Sequence, residues 1–199
     1  MTVQTFDNFK IIENVLTDAQ IDTLINWRNN KDYELDSNNQ IKVRDTNTWE
    51  TGLDKIQTIN CSTRNTEVIG IPRNEFSFLD TVYDNIFAAV HGSALTLEYP
   101  TYFNKYETGG FHGQHWDDAR PIPSAPTRLY ICTIQLSDTS DYVGGDLQIH
   151  KYIDDTCSEY DFVAAPRNKG CAIIYNPMAV HSVSEITSGT RYTLNECAG

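Results

Sequence analysis

Two hydrophobic periods divide this chain. In its first part, the apolar positions that stand out recur at helical spacing. Ile21, Leu24 and Ile25 form one stripe behind Thr17-Asp18-Ala19-Gln20. Thr17 can cap a helix there and Gln20 can reach back to it in capping-box fashion, and the stripe ends at Asn29-Asn30. Phe76, Leu79, Val82, Tyr83, Ile86, Phe87 and Val90 predict a second helix over 75–91, ended by Gly92. Between them, 31–60 is polar and rich in Asn, Asp and Thr, which reads as a long loop holding at most a short strand pair. Loops this long within a domain are uncommon and are often functional.

After Gly92 the period becomes two. Strands are predicted over 94–106, 111–116, 128–136, 146–152, 160–163, 170–175, 180–185 and 190–195, with Gly, Pro, Asp or Ser in the gaps. Short strands with no helices between them argue for an antiparallel sandwich or barrel, on whose outer face the two early helices can pack. No repeat, low-complexity tract or linker divides the chain. The expectation is therefore one domain over 1–199, with a helical and loop part at 1–93 and a β core at 94–199.

Composition narrows the function classes. The chain has 199 residues, 40% of them hydrophobic, with 11 Tyr, 8 Phe and 3 Trp, which is too aromatic for a disordered segment. Its 15 basic and 27 acidic residues leave a net charge of -12. Lys and Arg are scattered singly, so nothing suggests the basic patch that binding to nucleic acid requires. That charge would steer neutral or basic partners toward the chain. Apolar runs such as 171–175 are far too short to span a membrane, and 1–10 lacks the pattern of a signal peptide. Five cysteines without a C-x-x-C suggest reduced thiols in the cytoplasm rather than a disulfide framework.

The chemistry gathers in the β part. His115-Trp116-Asp117 ends a predicted strand, and residues two apart on a strand face the same way, so His115 and Asp117 can grip one ion. His181 lies on a later strand. Two imidazoles and a carboxylate on one side of a metal leave its other positions open, as in non-haem Fe(II) oxygenases. A lone His-x-Asp is common by chance, and its bland reading is a hydrogen-bonded surface pair. Arg191, ten residues after His181, adds a planar fork of donors suited to a carboxylate. Of the other histidines, His112 is three residues from His115 and so should face the opposite side of the strand. His150 reads as structural, and His91 closes a helix where a cation suits the macrodipole. Gly109-Gly110 and Gly144-Gly145 read as turns, since no helix N-terminus follows either.

The ordered set of motifs resembles the prolyl-4-hydroxylase-like branch of the Fe(II)/2-oxoglutarate-dependent dioxygenases. The matching features are Tyr106, Gly109, His115 and Asp117 at the family's spacing, and an Arg128-led strand ending in Ile134-Gln135-Leu136. The Gly144-Gly145-Asp146-Leu147 turn, Gly170, His181 and Gly189-Thr190-Arg191 complete it. The likeness is close over 106–195 and holds only in outline before that. It departs from the family at His112, where an aromatic is usual, and at Gln135, where many members carry Tyr or Phe.

The resemblance implies a double-stranded β-helix, or jelly roll, with the helices outside one sheet. It implies Fe(II) on His115, Asp117 and His181 as the catalytic and metal-binding triad. 2-Oxoglutarate would be held by Arg191, Tyr106 and Gln135, with O₂ as oxidant and ascorbate as reductant. The implied reaction is hydroxylation of an unactivated C–H, on a prolyl residue of a peptide or protein. The alternatives are a free amino acid or small metabolite as substrate, or a non-catalytic metal-binding or sugar-binding jelly roll. A nucleic-acid demethylase would call for a further basic residue after Arg191, and a zinc hydrolase for a general base that the sequence does not nominate. Specificity would come from loops, with Trp116 and the proline-rich 118–127 on one side and 31–60 as a lid opposite.

Overall fold

The computed structural model describes residues 1–45, 55–72, 74–97, 100–117, 128–150 and 162–199. Its N-terminal part contains β1 (Val3–Thr5), β2 (Phe9–Ile12), α1 (Asp18–Asn29), β3 (Val43–Arg44), β4 (Gln57–Cys61), β5 (Arg64–Ile71) and α2 (Ser77–His91). Next come β6 (Thr101–Tyr106), β7 (Phe111–His115), β8 (Tyr130–Gln135), β9 (Tyr142–Gly144) and β10 (Leu147–His150). The chain continues with β11 (Phe162–Ala164), β12 (Ala172–Tyr175), β13 (His181–Val183), β14 (Ile186–Gly189) and β15 (Arg191–Ala198).

α1 starts where its side chains dictate. The Gln20 N–H donates to Thr17 Oγ1 at 3.3 Å, and the Thr17 N–H donates to Gln20 Oε1 at 2.9 Å. α2 begins at Ser77, two residues after the predicted start, and Gly92 closes it at φ 92°, a conformation that costs glycine little.

The main sheet runs β1-β2-β12-β8-β15-β6-β5-β7-β13-β10-β11, with β4 and β3 attached beside β5. A separate pair joins β9 to β14. Among the described strands every pairing is antiparallel except β3 with β4. The sheet curls strongly. β5 meets β6 through Glu67–Ile71 and β7 through Arg64 and Asn65, so this one strand carries the sheet round a bend. As a result, the Asn8 side-chain amide beside β2 donates to the carbonyl of His150 on β10, near the other end of the strand order.

Strand alternation sorts the core in two. On β12, Ala172 and Ile174 join one cluster, while Ile173 and Tyr175 join the other. On β8, Cys132 and Ile134 oppose Ile131 in the same way. The first cluster includes Ile21 and Leu24 of α1 and Leu79, Tyr83, Ile86 and Phe87 of α2. Burying side chains of this size contributes roughly 1.5–3 kcal/mol each. The second lies within the curl, where Phe9, Ile131 and Tyr175 meet Leu147, Ile149 and Val183.

The fold is thus mainly β, a curled antiparallel sheet with two helices among the described residues, consistent with a jelly roll. Five strands precede residue 94, where the hydrophobic pattern indicates helices and loop. β5 escapes the pattern because Arg64 and Thr66 are polar yet buried, and Val68 to Ile71 are buried without alternation.

Candidate active site

Neighbouring strands bring the two distant histidines together. His115 ends β7, His181 begins β13, and the two are directly paired across the ladder. Their ring centroids lie 4.2 Å apart, and Asp117 Oδ2 lies 3.5 Å from His181 Nε2. One donor atom from each of the three residues lies within 4.8 Å of the others. Each imidazole is fixed by the same local device. His115 Nδ1 lies 2.8 Å from the Gly113 carbonyl and His181 Nδ1 lies 2.9 Å from the Ala179 carbonyl. A carbonyl can only accept, so Nδ1 carries the proton in both rings and Nε2 keeps its lone pair for a ligand.

Burial, and then the repulsion of His181, lower the pKa of His115 from 6.5 to about 4. Burial drives His112 lower still. His115 is therefore neutral near pH 7, the form that binds metal. The sign for stability follows from linkage. Between pH 6.5 and about 4 the unfolded chain binds a proton at His115 that the folded chain refuses. The denaturation midpoint of metal-free protein should therefore fall as the pH drops through this window, and fall less in His115→Gln. Equal slopes for the two proteins would contradict this account.

His112 is not on the opposite face from His115. Its ring stacks on His115, with centroids 3.8 Å apart and 27° between planes. The reason is a β-bulge. His181 pairs His115 and Val183 pairs His112, so two steps along β13 oppose three along β7. The extra residue returns His112 to the inner face, where it is buried and its Nε2 has no hydrogen-bond partner among the described residues.

The triad opens on a cavity of about 190 Å³. β15 lines it with alternate residues, Arg191, Thr193, Asn195 and Cys197, and β6 contributes Tyr102, Asn104 and Tyr106. Arg191 is buried, with its guanidinium carbon 5.5 Å from the centre of the Tyr106 ring. Its Nε finds no hydrogen-bond partner among the described residues. A buried guanidinium so placed favours a carboxylate ligand.

Gly145 makes room for this arginine, since a Cβ there would sit 2.1 Å from Ile186 Cδ1 and 3.2 Å from Arg191 Cδ. Gly145 is at φ +66°, so Gly145→Ala adds backbone strain of about 1–3 kcal/mol before either clash. It should lower the thermal midpoint and displace Arg191, and an unchanged melting curve would count against this packing.

Gln135 shares the inward parity of Ile131 and Thr133, which line the cavity, but it is not itself part of the wall. Both of its side-chain amide atoms are buried without a partner among the described residues. Sequence reasoning missed Arg64, Thr133, Tyr175 and Thr193 as lining residues. One signal was available on β15, where Arg191, Thr193 and Asn195 set polar groups at every second position of a strand. Trp116 is 59% exposed beside the triad. The proline-rich segment 118–127 lies outside the described residues, as does 46–54 of the expected lid. The described part of 31–60 adds no residue to the cavity wall, and pairs instead through Tyr33 with Ile56 and Leu35 with Ile41.

A curled antiparallel sheet that holds two histidines and an aspartate at the mouth of a cavity with a buried arginine defines a class of metal-dependent β proteins. Residues 101–196 match the sequence model of the 2OG-Fe(II) oxygenase superfamily. A PKHD-type hydroxylase of Gluconobacter oxydans is 36% identical over 107 residues, which cover 51% of this chain and 44% of the relative. The match therefore spans less than half the length of that relative. A prolyl-4-hydroxylase of Pseudomonas putida superposes with a TM-score of 0.64 at 14% identity, covering 96% of this chain and 91% of that one. A Trichoplax adhaerens prolyl hydroxylase, in complex with a hypoxia-inducible-factor peptide fragment, gives 0.64 at 14% identity, covering 97% and 84%. At such identities the structures bear on fold alone. No described helix is long and apolar enough to cross a membrane.

Proposed function

We propose that this chain is an Fe(II)- and 2-oxoglutarate-dependent oxygenase that hydroxylates a prolyl residue in a peptide or protein. The observation that carries the reading is the pairing of an open His-Asp-His cluster with a buried arginine lacking a carboxylate partner among the described residues. A zinc site built only for structure would close its fourth position with protein. In this reading His115, Asp117 and His181 hold the iron through Nε2, a carboxylate oxygen and Nε2. Arg191 would pair the distal carboxylate of 2-oxoglutarate, with Tyr106 and Gln135 as the further residues proposed to hold it. When bound, iron with 2-oxoglutarate and O₂ supplies the oxidising power to break an unactivated C–H bond, and the acid leaves as succinate and CO₂. Ascorbate would keep the metal ferrous.

The protein's own part is positional. The two Nδ1–H groups, held by the Gly113 and Ala179 carbonyls, aim both rings. Ile131, Leu147, Val183 and Tyr175 give the cavity an apolar side that limits water. The sheet is inferred to be a double-stranded β-helix with α1 and α2 outside one of its faces, acting as one domain over 1–199. The four described cysteines carry free thiols, which suits the cytoplasm. The prolyl assignment draws on the likeness to hydroxylases, a weaker warrant than the site.

The test is anaerobic titration with Fe(II) and 2-oxoglutarate, then O₂ and a panel of proline-containing peptides. Succinate and a peptide gaining one oxygen on proline are expected. Oxygen appearing only on a free amino acid or small metabolite would move the substrate to that class. Absence of 2-oxoglutarate binding would end the reading.

A further inference from the structure

Arg64 stands where the sheet changes course. β5 pairs β7 through Arg64 and Asn65 and β6 from Glu67 onward, with Arg64 directly opposite His112. Arg64 is only 2% exposed, and one of its terminal guanidinium nitrogens donates to Asn104 Oδ1 at 3.1 Å. The Tyr106 hydroxyl is a further hydrogen-bond partner. Asn104 and Tyr106 are successive inward-facing residues of β6, and both line the cavity with Arg64.

A guanidinium carries donors and no acceptor. Asn104 must therefore turn its carboxamide oxygen to Arg64, which points the two hydrogens of Nδ2 away from it. Tyr106 is constrained alike, since its oxygen accepts from Arg64 and its own proton goes elsewhere. One buried arginine thus fixes the hydrogen-bond sense of two neutral side chains, each of which can otherwise donate or accept.

Place gives that sense a use. Burial lowers the pKa of Arg64 and the charge of Asp117 opposes the shift, so Arg64 lies within the field of the triad. Across the ladder from β6, Tyr106 is opposite Arg191 and Asn104 is opposite Thr193. Arg64 and its two partners therefore flank the path from the metal ligands to Arg191.

We infer that Arg64 is a positioning residue, which turns the Asn104 N–H and Tyr106 O–H groups into the cavity so that this wall favours ligands presenting oxygen acceptors. This rests on the reading of Arg191 as the co-substrate residue, for which those acceptors belong to 2-oxoglutarate. Arg64 acts through the two side chains and needs no contact with the ligand itself.

Arg64→Gln separates polarity from packing, because a carboxamide accepts as well as donates and so releases Asn104 and Tyr106 from their fixed sense. Arg64→Lys keeps a group that only donates. Calorimetry without O₂ on Fe(II)-loaded protein should show 2-oxoglutarate binding about ten-fold or more weaker in Arg64→Gln, the scale of one hydrogen bond to a charged acceptor. Arg64→Lys should recover most of that affinity, and Fe(II) affinity should be alike in all three proteins. Asn104→Asp keeps an oxygen toward Arg64 but offers the cavity no donor, so it should weaken 2-oxoglutarate similarly, and it serves if Arg64→Gln does not fold. Amide spectra of protein without metal or ligand read the same polarity directly. The Asn104 side-chain N–H signals, assigned by their loss in Asn104→Asp, should coincide in the unaltered and Arg64→Lys proteins and move in Arg64→Gln. Undiminished 2-oxoglutarate affinity in Arg64→Gln overturns the inference, as does equal weakening by Gln and Lys, which would leave only packing. If the unaltered protein bound no 2-oxoglutarate, the proposed function would fall. The Asn104 signals would then decide the role of Arg64, and one position in all three proteins would overturn it.

Discussion

Alanine at His115, Asp117 or His181 should abolish turnover while the protein stays folded. Loss of a hydrogen bond that merely supports a ligand typically costs ten- to a hundred-fold in metal affinity. Loss of a ligand should exceed that, since three protein donors meet here among the described residues. Asp117 is the cleanest case. Its side chain is 31% exposed, so Asp117→Ala opens no hole in the core and leaves two imidazoles that still bind weakly. His181 is buried against Tyr175, with ring centroids 4.9 Å apart, so His181→Ala should also lower the melting temperature somewhat. Metal titration followed by peptide mass analysis separates the two effects. Turnover near that of the unaltered protein in folded His181→Ala would overturn the triad.

Arg191→Ala should leave metal affinity nearly unchanged and weaken 2-oxoglutarate about ten- to a hundred-fold, the value of hydrogen bonds to a charged partner. A second variant tests the same residue from the side of stability. Arg191 is fully buried with its Nε unpartnered among the described residues. Replacing a buried charge by an apolar side chain of similar volume is often neutral or stabilising. Arg191→Met should therefore melt at or above the midpoint of the unaltered protein when both lack ligand. It should then lose the ligand-induced rise, worth about 2.7 kcal/mol at a hundred times the dissociation constant. A drop in Fe(II) affinity with 2-oxoglutarate binding intact would mean that Arg191 serves the metal instead.

Features with local causes were legible in the sequence. The α1 cap depends on two side chains three residues apart, and the end of α2 on one glycine. His115 and Asp117 share a face because strand side chains alternate. Alternation also announced most of the later strands, though Tyr142–Gly144 and Ile186–Gly189, each with one buried residue at its start, did not show it. The polar, buried half of β5 had no amphipathic signature, because its inner face borders a polar cavity rather than apolar core.

The sequence by itself determined the donor set, the local order of the β part and the spacing that sets an arginine after the second histidine. Tertiary structure alone decided which donors meet. His115 and His181 become neighbours only when β7 and β13 pair, a long-range contact that chain periodicity does not encode. The bulge that turns His112 inward is likewise a property of two strands in register, since neither strand alone has a register to break. The same holds for the three arginines around one cavity. Arg64, Arg128 and Arg191 lie on separate strands or their flanks, and only the curl of the sheet brings them to one wall.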